Sequence, residues 1–192
     1  MMDFQEFPKM ARWSRDIVIT EKIDGTNAQI FIGEDGTFLT GSRTRWITPQ
    51  DDNYGFAAWA QAHRDELMLL GPGRHFGEWW GAGIHRRYGL TEKRFSLFNV
   101  GRWYDPKDCA GEDLGGRAAV PGCCHVVPII LKGPNEPGVM ERCIKLLAQL
   151  GSYAAPGFMD PEGIVMFHIA AGVGFKKTIE KDEVPKALAK AA

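Results

Sequence analysis

Residues 17–32 read IVITEKIDGTNAQIFI, and their period of two constrains the fold more than any other stretch. Ile17, Ile19 and Ile23 share one face, and Val18, Thr20, Lys22 and Asp24 share the other; Ala28, Ile30 and Ile32 resume the alternation beyond Asp24-Gly25. Gly33-Glu34-Asp35-Gly36 reads as a second turn and residues 37–41 as a third strand, so an antiparallel meander with a hairpin at Asp24-Gly25 is expected. The period lengthens over 55–70, where Phe56, Trp59, Ala60, His63, Leu67 and Leu70 recur at helical spacing before Gly71-Pro72-Gly73. Residues 74–80 and 94–100 read as strands, 105–122 as a loop, and 124–131 as one strand that Pro128 puts at an edge or a bulge. A second helix spans 137–150, with Met140, Ile144, Leu147 and Leu150 on one face, and 163–169 and 172–178 are two closing strands. Strands do not alternate regularly with helices, so the fold class is α+β with mostly antiparallel sheets rather than a doubly wound parallel sheet.

Length suits one domain over residues 1–192. With 23 basic and 24 acidic residues the net charge is −1, so a nucleic-acid partner requires a local basic patch. Residues 84–88, IHRRY, are the densest such patch, which offers Arg86 and Arg87 to backbone phosphates. No apolar run approaches the ~20 residues of a membrane helix, and MMDFQEFPKMARW lacks the apolar stretch of a secretory signal. The expected setting is cytoplasmic, with reduced thiols. Cys109, Cys123, Cys124 and His125 are a conceivable zinc set, but adjacent cysteines lack the usual two-residue gap, which favours small buried thiols. There is no Walker loop and no dinucleotide fingerprint.

Charged residues gather at strand ends: Lys22, Arg43 and Arg45 in SRTRW, Glu78 in FGEWW, Glu162 in EGIVM, and Lys176 and Lys177 in GFKKT. One such residue is a solvated face; several in a series imply a shared polar groove between sheets, since charges buried without partners are costly. A phosphate ligand and a metal ion would satisfy both signs.

In this order the segments resemble the motifs of the covalent nucleotidyltransferases, and most closely those of RNA ligases of the RNA ligase 2 type. Lys22-Ile23-Asp24-Gly25 is similar to the Lys-x-x-Gly motif, and its flank TEKIDGTN is similar to the RNA-ligase version; DNA ligases and capping enzymes usually place an arginine where this chain has Asn27. SRTR at Ser42–Arg45, FGEWWG at Phe76–Gly81, FSLFNV at Phe95–Val100, EGIVM at Glu162–Met166 and Lys176-Lys177 complete the series. The resemblance implies a nucleotidyltransferase (ATP-grasp-like) domain of antiparallel sheets and flanking helices around a nucleotide groove.

It further implies an ATP-dependent RNA ligase. Lys22 would take AMP from ATP covalently, pass it to a 5′-phosphate end, and a 3′-hydroxyl would displace it. Lysine suits the role because nearby cations can depress its pKa, whereas arginine hardly deprotonates. Glu21, Ile23 and Asn27 are implied to flank the nucleotide, Arg43 to contact it or the 5′-phosphate, and Arg45 to share that role on the nucleic-acid side. Glu78 would accept from the ribose hydroxyls and Phe98 would stack on adenine, leaving Phe95, of opposite parity, to the core. Glu162 would help hold Mg²⁺ or Mn²⁺. Lys176 and Lys177 would contact the α-phosphate; the family often writes them Lys-x-Lys, and adjacent residues of one strand point to opposite faces, so one of the two is expected to reach it; parity leaves open which, and Lys176 is preferred. Gly25 would let backbone approach the phosphate. Neither the C-terminal barrel of DNA ligases and capping enzymes nor the helical domain of these RNA ligases fits after Thr178, so an adenylyltransferase domain alone is expected; either a partner protein supplies nucleic-acid affinity or an unusually compact ligase manages without one. Two other readings compete: a minimal DNA nick ligase, and a nucleotide- or RNA-binding module with reduced catalysis.

Overall fold

The computed structural model describes residues 2–108, 115–180 and 182. In chain order the elements are β1 (Asp16–Lys22), β2 (Thr26–Ile32), β3 (Phe38–Gly41), β4 (Trp46–Ile47), α1 (Phe56–Ala62), α2 (Arg64–Met68), β5 (Gly73–Gly81), β6 (Lys93–Leu97), β7 (Trp103–Tyr104), β8 (Ala118–Ala119), β9 (Cys124–Val126), β10 (Ile129–Pro134), α3 (Val139–Leu150), β11 (Gly163–His168) and β12 (Val173–Thr178). They build two main sheets. One is antiparallel throughout, in the order β10-β1-β11-β12; the other runs β4-β3-β2-β5-β6-β9 and is antiparallel but for its β6–β9 edge. The class is α+β, as the mixture of periods requires.

Each sheet buries one face under its own helices. Ile17, Ile19, Ile164 and Met166 pack on Val139, Cys143 and Leu147 of α3. Ile30, Trp79 and Phe95 pack on Phe56, Ala60 and Leu67 of the α1–α2 pair. Each fully buried side chain of this size contributes about 1.5–3 kcal/mol. The other two faces look at one another across a groove. At its closed end a third cluster, Ile23, Trp80, Tyr88, Val127 and Ala155, joins the sheets.

Several expectations are corrected. Asp24-Gly25 is no hairpin: β1 pairs with β10 and β11, β2 pairs with β3 and β5, and the chain crosses from one sheet to the other between them. Alternation and an Asp-Gly break fit a strand that turns back and a strand that crosses over equally well. Gly33–Gly36 is a true hairpin turn, closed by Gly33 N–H to Thr37 O at 2.8 Å. Residues 124–131 are two strands in different sheets, parted at Pro128, whose carbonyl accepts from Glu21 N–H at 3.0 Å. The 55–70 helix is broken at His63, which has φ −106° and ψ 20°. In α3 the buried seam is Val139, Cys143 and Leu147, with Ile144 beside it. Leu150 closes the last turn, where Gly151 turns the chain away at φ 83°, and stays 59% exposed.

Candidate active site

Strand parity places Lys22. In β1, Ile17, Ile19 and Glu21 are turned toward the α3 side, and Val18, Thr20 and Lys22 toward the groove. The Lys22 ammonium is bound to the Glu162 carboxylate, a buried group immediately before β11. Gly163, opposite Lys22 in the ladder, holds that junction tight: a Cβ there would lie 2.2 Å from Lys177 O. Thus Lys22 and Glu162, 140 residues apart, meet because β1 and β11 are neighbours.

Gly25, which lines the cavity, also packs the crossing segment. A Cβ on Gly25 would stand 2.4 Å from Trp79 O and 2.7 Å from Trp80 Cβ, so the crossing segment runs against the backbone of β5. That approach lets Gly25 N–H donate to Glu78 Oε1 at 3.1 Å, while Asn27 Nδ2 donates to Oε2 at 3.2 Å. Burial pushes the Glu78 carboxyl up to about 7; Lys22 and the Gly25 N–H pull it down, and the nearby Glu162 and Asp24 carboxylates push it further up.

Lys22, Glu78, Asn27, Arg43, Phe98 and Lys176 line one cavity of about 1280 Å³, larger than the ~300–1,000 Å³ of ordinary small-molecule sites. Among the described residues its wall carries seven Lys and Arg against three Asp and Glu. A chain of net charge −1 thus concentrates its positive charge here. Phe98 is 40% exposed to this space while Phe95 is fully buried.

Glu21 and Ile23 border the cavity but engage their side chains elsewhere, and Arg45, Arg86, Arg87 and Lys177 lie off its wall. Glu21 turns its carboxylate away from the groove and accepts from Ser152 Oγ (2.7 Å), Tyr153 N–H (2.8 Å) and Ala154 N–H (2.9 Å). Burial raises its pKa, and these donors partly offset the rise. It anchors the loop after α3. The Ile23 side chain is buried with Trp80, Tyr88 and Val127, so only its main chain is left to face the cavity. Arg45 is paired with Asp51, with Nη2 at 3.0 Å from Oδ1, outside the cavity wall. Lys177 turns to the opposite face from Lys176, with Nζ 3.6 Å from Glu141 and 3.9 Å from Asp182. Arg86 bridges Asp24, at 3.4 Å, and Asp160, whose carbonyl accepts from it at 2.9 Å. Tyr88 Oη accepts from Asp24 N–H at 2.8 Å. The IHRRY segment is therefore a brace on the Lys22 turn. It holds His85, Arg87 and Tyr88 at positive φ, a costly conformation for such residues. Arg87 is exposed on that loop.

Sequence reasoning missed the outer cations of the cavity, Arg74, Arg102, Arg117 and Lys132. Arg74 was within reach, since it shares parity with Phe76 and Glu78 in RHFGE. Cys124 is fully buried and its Sγ lies 3.9 Å from that of Cys123; His125 Nδ1 is 2.9 Å from Asp105 Oδ2. No group of three or more His, Cys, Asp or Glu among the described residues could hold a metal, and Cys109 lies outside those residues. Nor is any helix among them long and apolar enough to cross a membrane.

The RNA ligase family matches residues 15–181. No curated protein matches the sequence. Solved structures of Naegleria gruberi RNA ligase share the fold. An apo variant superposes with TM-score 0.58 at 17% identity, covering 93% of this chain and 52% of its own. A variant with ATP and Mn gives 0.57 at 18%, covering 85% and 48%. A variant with AMP and Mn gives 0.57 at 16%, covering 94% and 52%. This chain thus spans about half the length of those ligases.

Proposed function

Since the chain belongs to the RNA ligase family, we propose that it is an ATP-dependent RNA ligase domain that acts through a covalent Lys22–AMP intermediate. The observation that carries this reading is the Lys22 amine at the closed end of a cationic cavity, bound to the buried Glu162 and sharing that cavity with Lys176.

Lys22 must lose a proton before its nitrogen can attack. Glu162, already its hydrogen-bond acceptor, is the nearest group to take it. The amine then attacks the α-phosphorus, a P–N bond forms, and the bond to pyrophosphate breaks. Such displacements depend on alignment and charge stabilisation. Lys176 supplies positive charge from β12. Glu78, held by Gly25 and Asn27, accepts from the ribose hydroxyls, and Phe98 offers its exposed ring to adenine. A 5′-phosphate oxygen next attacks the AMP phosphorus and frees Lys22, and a 3′-hydroxyl then displaces AMP and closes the phosphodiester. Arg43, exposed at the cavity wall, receives phosphate in this reading.

Related ligases were solved with ATP and Mn. The residues here fit an ion that arrives on the nucleotide: no three protein ligands converge among the described residues, while Glu162 and Glu78 offer hard oxygens. Mg²⁺ and Mn²⁺ commonly keep waters and phosphate oxygens under such conditions. Bound there, the ion would neutralise phosphate charge.

The test is intact mass after incubation with ATP and Mg²⁺ or Mn²⁺. A single AMP adduct is expected for the native chain, none for Lys22→Ala, and little with GTP. An adduct that persists in Lys22→Ala would overturn the assignment.

A further inference from the structure

The groove face of the larger sheet continues from the cavity wall, which includes Phe76 and Arg74, to Phe31 and Trp46 beside it. Residues opposite one another in an antiparallel ladder share a face, so the pairs Asn27–Glu78, Gln29–Phe76 and Phe31–Arg74 step outward along it. Gly41 and Trp46 lie abreast of Gln29. From Glu78 to Arg74 is about 14 Å of strand. Over this distance the strip is aromatic and cationic. Phe76 is 52% exposed and Trp46 44%. The Phe31 and Trp46 rings are 6.4 Å apart, and the Arg74 guanidinium stands 5.0 Å from the Phe31 centroid and 5.4 Å from that of Trp46. Glu78 is the only acid in β2, β3, β4 and β5.

Large rings left in water beside a guanidinium mark a binding surface. The combination suits a nucleotide: flat rings stack on bases, and a guanidinium serves both ring and phosphate. We propose that this strip is a stacking platform for unpaired nucleotides of the RNA strand whose end reacts at Lys22, with Trp46 and Phe76 meeting bases and Arg74 a phosphate. The proposal rests on the ligase reading and adds the path of the strand. Charge selects the occupant. The strip is continuous with the cavity wall of seven cations against three acids, which attracts a polyanion and repels a second copy presenting the same face.

The experiment titrates labelled single-stranded RNA, and an abasic strand of equal length, by fluorescence anisotropy. Wild type, Trp46→Ala and Trp46→Phe are compared, with the AMP adduct of each read by intact mass. Trp46→Ala is expected to bind RNA about 5- to 150-fold more weakly. Trp46→Phe should recover most of that loss. The abasic strand should bind all three proteins equally, and adduct formation should be unchanged. Equal RNA affinity for wild type and Trp46→Ala, or an equal loss on the abasic strand, overturns the platform. So does self-association of the wild type that Trp46→Ala abolishes, which makes the strip a dimer face. A wild-type protein that forms no adduct sinks the ligase reading, and this proposal with it, before RNA is added.

Discussion

Glu78→Gln should flatten one part of the pH dependence of stability and leave the rest in place. The native carboxyl sits at about 7 against an ordinary 4.5. Between those values the folded chain keeps a proton that the unfolded chain releases, so stability falls as pH rises. The contribution is fully present below pH 4.5 and lost as pH climbs through about 7. At about 1.4 kcal/mol per pH unit, the gap between 4.5 and about 7 amounts to about 3 kcal/mol. Glu78 is only 8% exposed, so solvent screening removes little of this. Glutamine cannot ionise, yet its carbonyl can still accept from Gly25 N–H. Thermal unfolding of both proteins between pH 4.5 and 8 checks the reasoning. The Tm of the native chain, measured relative to Glu78→Gln, should fall by about 6–12 °C across the range, at about 2–4 °C per kcal/mol for a chain of this size. Glu21, raised by burial, and Asp105 remain in both proteins and cancel in the difference. For Asp105, burial pushes the carboxyl up but the His125 hydrogen bond and Lys107 outweigh it. A Tm difference that stays constant with pH, or grows in favour of the native chain, refutes the argument.

Gly25→Ala should lower stability by about 1–3 kcal/mol, because the new methyl meets Trp79 O and Trp80 Cβ; an unchanged Tm would show that the crossing segment is not packed on β5. Lys176→Ala should slow adduct formation by about 100-fold or more, the size of effect seen when one charge-stabilising donor is removed. Lys177→Ala should cost less than about 5-fold, since its partly exposed pairs with Glu141 and Asp182 are worth about 1 kcal/mol or less. Equal losses in single-turnover assays would reverse that assignment. RNA affinity should fall with added salt, with a log–log slope of about −0.7 per phosphate contacted; a flat dependence would remove the phosphate contacts.

Local pattern carried the longer strands β1, β2, β5, β6, β11 and β12, the Gly33–Gly36 turn and the presence of α3, because these depend on side-chain periodicity and turn residues alone, while the two-residue strands β4, β7 and β8 went unread. Parity also set Phe95 apart from Phe98 and put Lys176 and Lys177 on opposite faces, while leaving open which lysine faces the groove. What it could not carry was partnership between distant segments. Nothing near Glu21 announces Ser152, 131 residues away, so a conspicuous carboxylate beside Lys22 read as a ligand contact when it anchors a loop. Arg86 failed for the same reason: its acceptors, Asp24 and Asp160, come from the crossing segment and from the approach to β11. A dense basic cluster in one dimension became a brace in three.

The described chain passes from one sheet to the other twice, at Ile23–Gly25 and at Val127–Pro128, and both passages lie side by side in the cluster that closes the groove. They act as the spine of a book whose covers are the two sheets. Lys22 is written next to the spine and Trp46 near the outer margin. Any rocking of one cover against the other displaces the margin most and the spine least. Under the function proposed above, strands of different bulk would be admitted at the rim while the approach of the amine to phosphorus is held.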